Sequence, residues 1–290
     1  MTATWLASLA IDARFGEPPR SIHPVVLAGR IIGAIERRIP RTRAAARSGG
    51  VVVLLAPAAL AVLLSLAMPA PFGIWWLKTT FSLRELVDAA DRVKDALAHG
   101  TIEKARAAVG EIVSRPTVDL DERHIASAAI ESVAENLCDS YVAPLFWYAV
   151  AGPPGAAIYR AVNTADAMVG YRDDRHRDVG LIAARADDVL SFLPARISAL
   201  ALAAAAPVVG GAPAVAMRTA LREARSTASP NSGWPMAAAA GALGVRLEKR
   251  GHHVLGDGRD PEARDIARAR RLVLAAACIL TAAFVGSRRW

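Results

Sequence analysis

Within AAIESVAENLCDSY, three carboxylates recur at intervals of four: Glu131, Glu135 and Asp139. On a helix they share one face, where like charges at that spacing oppose one another. A divalent cation or a cationic substrate would relieve the repulsion, and carboxylate oxygens suit Mg²⁺ that also carries phosphate. Asn136 sits inside the same string. The competing explanation is a solvated acidic face on an amphipathic helix. A second group follows in YRAVNTADAMVGYR. Asn163 and Asp166 are three apart, Arg160 lies one step back on the same face, and Tyr171 and Arg172 follow Gly170, where the helix should end. Acid, amide and guanidinium together are what a phosphate–metal site requires, and a capped helix with one internal ion pair is the alternative.

Two further groups extend the set. Ala184-Arg185-Ala186-Asp187-Asp188 precedes an apolar segment that contains Arg196 between Leu193 and Leu200. A charge so placed must find a partner or reach the lipid headgroups. Ser229 and Asn231 lie in a small-polar loop, STASPNSGWP, of a kind that can offer backbone N–H groups to phosphate. No GxxxxGK[ST], GxGxxG, HExxH or Ser-His-Asp order is present. The two cysteines, Cys138 and Cys278, lie in unrelated contexts, so a disulfide framework or a Cys/His metal site is not expected.

The elements that must position these groups are apolar. The chain has 290 residues, 53% of them hydrophobic, with mean hydropathy +0.29 and 21% charged residues. That mixture points to an all-α, polytopic integral membrane protein with a cytosolic helical portion. We read 1–290 as a single membrane-embedded domain, with 82–141 water-facing. The formal net charge of +8, with arginines gathered over residues 30–47, fits a cytoplasmic membrane face. Aromatic residues are only 6%, and no basic–aromatic interleaving suggests nucleic acid. Residues 51–68 carry no charge and are the strongest candidate span, with 51–81 as a helical hairpin. Helices are expected over 82–115, as a hairpin divided at Gly100-Thr101, and over 119–141. Gly152-Pro153-Pro154-Gly155 divides 142–158 into half-length pieces, as in a re-entrant hairpin, and Pro207 to Pro213 breaks 189–217 into a second. Residues 272–286 form a last apolar helix. No cleaved signal peptide is expected.

Taken in order, GEPPRSIHPVVLAGRII, AAIESVAENLCDSYVAPLFW, PGAAIYRAVNTADAMVGYR, AARADDVLSFLPARISAL and SPNSGWPMAAAAGALGVRLE resemble the CobD/CbiB family, adenosylcobinamide-phosphate synthase, over roughly residues 6–275. Two positions depart from the family pattern. Met236 stands where a carboxylate is usual, and Pro116 stands where an aspartate is usual. The resemblance implies an inner-membrane, multi-pass enzyme of cobalamin biosynthesis with its site facing the cytosol. It implies ATP- and Mg²⁺-dependent amide formation between adenosylcobyric acid and aminopropanol phosphate or a related amino alcohol, through an acyl phosphate. On that reading Glu131, Glu135, Asn136 and Asp139 are catalytic. Arg160, Asn163, Asp166, Tyr171, Arg172, Arg185, Arg196, Ser229 and Asn231 bind substrate, and Glu135, Asp139, Asp166, Asp187 and Asp188 hold the metal. Membrane lipid is an expected partner, as is a second copy or a later membrane enzyme of the pathway. The alternatives are a UbiA-like Mg²⁺-diphosphate transferase, which lacks its paired aspartate-rich repeats here, a transporter with broken helices, and an inactive family member serving as a subunit.

Overall fold

The computed structural model describes residues 1–40, 42–171 and 173–287. In chain order the helices are α1 (Thr2–Phe15), α2 (Pro24–Glu36), α3 (Arg43–Ala67), α4 (Ala70–Lys78), α5 (Leu83–His99), α6 (Ile102–Gly110) and α7 (Glu122–Leu137). They continue as α8 (Ala143–Val169), α9 (Leu181–Leu190), α10 (Phe192–Ala205), α11 (Pro213–Glu223), α12 (Gly233–Leu243) and α13 (Ala263–Ser287). A π-helical turn, Cys138–Val142, joins α7 to α8, and a two-stranded hairpin, β1 (Leu247–Lys249) with β2 (His253–Leu255), precedes α13. Arg43–Ala67, Phe192–Val209 and Ala263–Ser287 are long and apolar enough to cross a membrane. This is the all-α membrane architecture expected from composition, apart from the small hairpin, whose two three-residue strands are too short to leave a period in the sequence.

The chain packs as two compact units. The first is Met1–Ser82 with Ala143–Ser191, and the second is Leu83–Val142 with Phe192–Trp290. The stretch 82–141, read as water-facing, thus folds almost wholly with the distant C-terminal third.

In the first unit, α3 packs against α2, α8 and α9 around Ile32, Val53, Leu54, Val162 and Val169. Gly50 lets α3 approach closely: a Cβ there would meet the Val179 carbonyl oxygen at 2.3 Å. The expected 51–81 hairpin is altered, because α4 packs chiefly on α1. Trp5 of α1 supplies the apolar surface for this, stacking within 4.6 Å of the Phe81 ring. α8 breaks at Ala151 and Gly152, where φ reaches +66°, a conformation that favours glycine. Beyond the break the chain turns back. A Cβ on Gly155 would lie 2.3 Å from the carbonyl of Trp147, and both Trp147 and Tyr159 reach the end of α9, through Leu190 O at 3.0 Å and Ser191 Oγ at 3.2 Å. The half-length pieces read from GPPG therefore form a tight reversal.

In the second unit, α5 turns Val87, Ala90 and Val93 inward and packs on α6, α7 and α13. Thr101 caps α6, accepting from the Lys104 N–H at 3.4 Å. α10 runs on as a 3₁₀ turn, Ala206–Val209, and ends at Gly210 with φ +76°, after which α11 folds back along it. The break anticipated between Pro207 and Pro213 thus falls at Gly210, Pro207 itself being tolerated in the first turn of the 3₁₀ segment. Alanine-rich α12 packs against α7, α10 and α11 at close range. Arg268 closes two helix ends at once, donating to Leu243 O and Val209 O at 2.9 Å each, while buried Asp265 pairs with Arg259 at 2.7 Å and Arg268 at 2.8 Å.

Candidate functional site

The acidic face of α7 is not uniform. Glu131 is 5% exposed, whereas Glu135 and Asp139 are half-buried, Asp139 within the π-helical turn. Glu131 accepts from the Ser127 hydroxyl at 2.7 Å, and Arg115 Nη2 and His253 Nε2 lie 3.5 Å and 3.4 Å from its Oε2. Ser127 Oγ in turn accepts from the Glu248 N–H at 2.7 Å, which fixes β1 against α7. Arg250, in the hairpin turn, reaches Asp121 at 2.8 Å, and Asp121 caps α7 by accepting from the His124 N–H at 3.0 Å. Burial by itself would raise the Glu131 carboxyl. His253, Arg115 and Ser127 outweigh it and hold it below the usual carboxylate range. The repulsion that the sequence assigned to a metal or a cationic substrate is therefore relieved at Glu131 by protein groups, Ser127 and Arg115 nearby in the chain and His253 from a hairpin more than a hundred residues away. Arg115 is in the string that carries Pro116, and could have been singled out there. Nothing in the pattern around His253 signalled its role. Asn136, named with these residues, donates to Ser132 O at 2.9 Å in its own helix.

In the first unit, α8 and α9 bring the second and third groups together. Arg160 Nη1 donates to Asn163 Oδ1 at 3.3 Å, Asn163 Nδ2 donates to Asp187 Oδ1 at 3.3 Å, and Ser191 Oγ donates to Asp187 Oδ2 at 3.4 Å. Asp166, on the same helix, has its carboxyl raised, first by burial and then by the like charge of Asp188. Arg185 is exposed, 4.0 Å from Asp188, and Tyr171 is exposed with its ring 5.9 Å from that of His176. Arg172 lies outside the described residues. Gly170 ends α8 as expected, its N–H donating to Asp166 O at 2.7 Å.

Arg196 finds partners. It donates to Asn231 Oδ1 at 2.8 Å and Pro230 O at 3.4 Å, and its guanidinium stacks 3.6 Å from the Phe192 ring and 4.9 Å from that of Trp234. It thereby orders the loop that carries Ser229 and Asn231. Ser229 Oγ accepts from the N–H groups of Asn231 and Ser232 at 3.2 Å and 3.4 Å, so those two amides are engaged within the loop.

A fourth cluster joins residues that no local spacing links. Lys78, 1% exposed, lies 3.0 Å from Asp12 and 2.5 Å from Glu17, and Glu17 also pairs with His23 at 2.6 Å. His23 Nδ1 accepts from the Val25 N–H and caps α2. Burial works to raise the Glu17 carboxyl, but His23 and Lys78 lower it to about 2. The GEPPRSIHP string is thus held by one buried ammonium.

The five carboxylates assigned to metal divide between the units: Glu135 and Asp139 in the second, Asp166, Asp187 and Asp188 in the first. Among the described residues no three His, Cys, Asp or Glu side chains are gathered to hold a metal ion. Mg²⁺ delivered on phosphates needs only one or two protein carboxylates, so a donor pair such as Asp166 and Asp188 fits that kind of ion. Neither Cys138 nor Cys278 is in a disulfide.

A family model described as CobD/Cbib protein matches residues 5–273. The chain belongs to the CobD/CbiB family. It is 37% identical to the cobalamin biosynthesis protein CobD of Klebsiella pneumoniae subsp. pneumoniae over 315 aligned residues, covering 99% of this chain and 97% of the relative. It is 40% identical to the cobalamin biosynthesis protein CobD of Dehalococcoides mccartyi, covering 87% and 86%. The protein of that name from Geobacter metallireducens is 39% identical, covering 84% and 80%. No solved structure matches the chain. All the strings that carried the resemblance to the CobD/CbiB family fall inside the matched residues.

Proposed function

We propose that this CobD/CbiB protein acts in cobalamin biosynthesis as an ATP- and Mg²⁺-dependent amide-forming enzyme. It would join a carboxylate of adenosylcobyric acid to aminopropanol phosphate, or a related amino alcohol, and so make adenosylcobinamide phosphate. The observation that carries this reading is the row Arg160–Asn163–Asp187 beside Asp166 and Asp188. It combines a guanidinium and an amide, which bind phosphate oxygens, with two carboxylates that oppose each other in the absence of a cation.

A carboxylate does not react with an amine until one of its oxygens becomes a leaving group, and ATP would supply that activation. Mg²⁺ on the phosphates would neutralise the charge that Asp166 and Asp188 bring together. Arg160 and Asn163 then orient phosphate oxygens, and Arg185 stands as a further cation for the acidic groups of the corrinoid. In the second unit Glu131, held ionised by Arg115 and His253, fixes α7, which carries Glu135. The site faces the cytosol of an inner-membrane protein, since its nucleotide is cytosolic.

The reading is tested by incubating purified protein with adenosylcobyric acid, aminopropanol phosphate, ATP and Mg²⁺. ATP-dependent adenosylcobinamide phosphate is the expected product. Absence of ATP-dependent product with both phosphorylated and free amino alcohols would reject it.

A further inference from the structure

Six exposed arginines gather in the first unit where α2 gives way to α3. Arg37 and Arg38 follow α2, Arg43 and Arg47 lie on the first turns of α3, and Arg175 and Arg177 belong to the turn 173–178. Ion pairs tie the three segments together. Arg175 reaches Glu36 at 2.8 Å, and Arg43 and Arg47 share one carboxylate, Asp178, at 3.4 Å and 3.1 Å. The chain after α2 also lies against α3, for a Cβ on Gly49 would meet the Ile39 side chain at 2.5 Å. Asp173 pairs with His176 instead. With Asp174 the patch has four carboxylates, so its six described arginines leave an excess of two positive charges. Among the described residues, Arg37, Arg38 and Arg177 pair with no carboxylate. No step of the proposed reaction uses this patch.

What covers it follows from α3. Along one side of that helix Arg43, Arg47, Val51 and Leu55 recur at intervals of four, and all four are exposed. The exposed side chains thus change from guanidinium to aliphatic within about one turn, roughly 5.4 Å. Residues 51–68 carry no charge, and α3 is the most apolar of the three candidate spans and the least covered by the protein, with Leu63 and Leu66 exposed further along it. A helix built this way meets acyl chains from Val51 onward, which sets Arg43 and Arg47 at the depth of lipid headgroups. Both reach Asp178 through Nε, and each guanidinium has further N–H groups to give a phosphate. A zwitterionic headgroup brings its own cation into this excess of positive charge, whereas an anionic headgroup does not. We propose that the arginine patch between α2 and α3 is a binding site for an anionic membrane phospholipid, whose phosphate accepts from the guanidinium groups and whose acyl chain runs along Val51 and Leu55. The inference stands on this patch and on α3, and does not depend on the reaction proposed above.

The test uses the full chain in phosphatidylcholine vesicles, with part of the lipid replaced by brominated phosphatidylglycerol or by brominated phosphatidylcholine and tryptophan emission as the readout. Leu55→Trp places an indole on the exposed side of α3, and subtracting the emission of the parent protein isolates it. That indole should be quenched equally by about one fifth as much of the anionic lipid as of the zwitterionic one, the effect of one charge at the membrane surface. Leu66→Trp, at the far end of α3, should show no preference. Arg37→Gln with Arg38→Gln removes two positive charges and breaks no ion pair, so the preference at Leu55→Trp should fall below about twofold. Arg37→Lys with Arg38→Lys keeps the charges and should retain it. Equal quenching by the two lipids at Leu55→Trp, an equally large preference at Leu66→Trp, or a preference that survives the glutamine pair would overturn the proposal. Loss of the preference on adding ATP at constant ionic strength would overturn it too, since the patch would then serve a nucleotide.

Discussion

Removing Arg115 tests the account of Glu131. In Arg115→Met the stem is kept and the charge lost, so a carboxylate that is 5% exposed retains only the Ser127 hydroxyl and His253. Breaking a fully buried ion pair from one side costs about 3–5 kcal/mol. With two partners remaining and the Arg115 side chain 15% exposed, we expect about 2–3 kcal/mol. Glu131→Gln alone strands Arg115 instead, whereas the double variant strands neither, so the two effects should fall short of additivity by about 1.5–2 kcal/mol. pH supplies a second signature. The folded Glu131 carboxyl lies below its unfolded value, so its contribution is complete above the unfolded value, near 4.3, and is lost as pH falls through the folded one. In Arg115→Met the folded value rises, and the acid loss begins at higher pH. The assay is unfolding in mixed micelles followed by circular dichroism, for the four proteins of the cycle, from neutral pH down to well below the unfolded value. An Arg115→Met protein within about 0.5 kcal/mol of wild type, additive with Glu131→Gln, would refute the reasoning.

Three other outcomes are expected. Lys78→Met leaves Asp12 and Glu17 without their shared cation and should cost about 3–5 kcal/mol in the same assay; in the wild type the Glu17 contribution, whose folded value is about 2, should survive acidification until pH falls well below 4, as NMR titration of that carboxyl would report. Arg196→Lys keeps the charge but loses the stack on Phe192 and Trp234 and the fork onto Asn231 and Pro230, so the amides of Asn231 and Ser232 should exchange hydrogen faster while the helices stay protected. Asp166→Asn removes one of two opposed carboxylates; thermal melts should show a gain of about 0.5–1 kcal/mol without Mg²⁺, and the Mg²⁺ concentration for half-maximal activity should rise.

What could be read from the sequence was what depends on near neighbours. The uncharged run 51–68 marked α3, the three-and-four spacing marked α5 and α6, and Thr101 marked the cap between them. GPPG located the reversal in α8 to within two residues, because only glycine takes the φ of Gly152 readily. The spacing that put Arg160, Asn163 and Asp166 on one face held, but their contact with Asp187 depends on α9 packing against α8. Arg196 illustrates the limit. A charge in an apolar segment announced that a partner was needed, and the partner proved to be a loop 35 residues away. His253 against Glu131 and Lys78 between Asp12 and Glu17 were hidden for the same reason: each joins residues more than 60 positions apart, where local periodicity carries no information. The ordered strings gave the family where the spacing of carboxylates alone left a solvated face as an equal reading.

The central claim is that ATP activates the corrinoid carboxylate for attack by the amine. Adenosylcobyric acid carrying ¹⁸O in the reacting carboxylate tests it directly, with aminopropanol phosphate, ATP, Mg²⁺ and purified protein. The account predicts amide product together with one ¹⁸O atom in the phosphate split from ATP, because the carboxylate oxygen leaves with it. Amide product whose formation places no ¹⁸O in any ATP-derived phosphate group would contradict it.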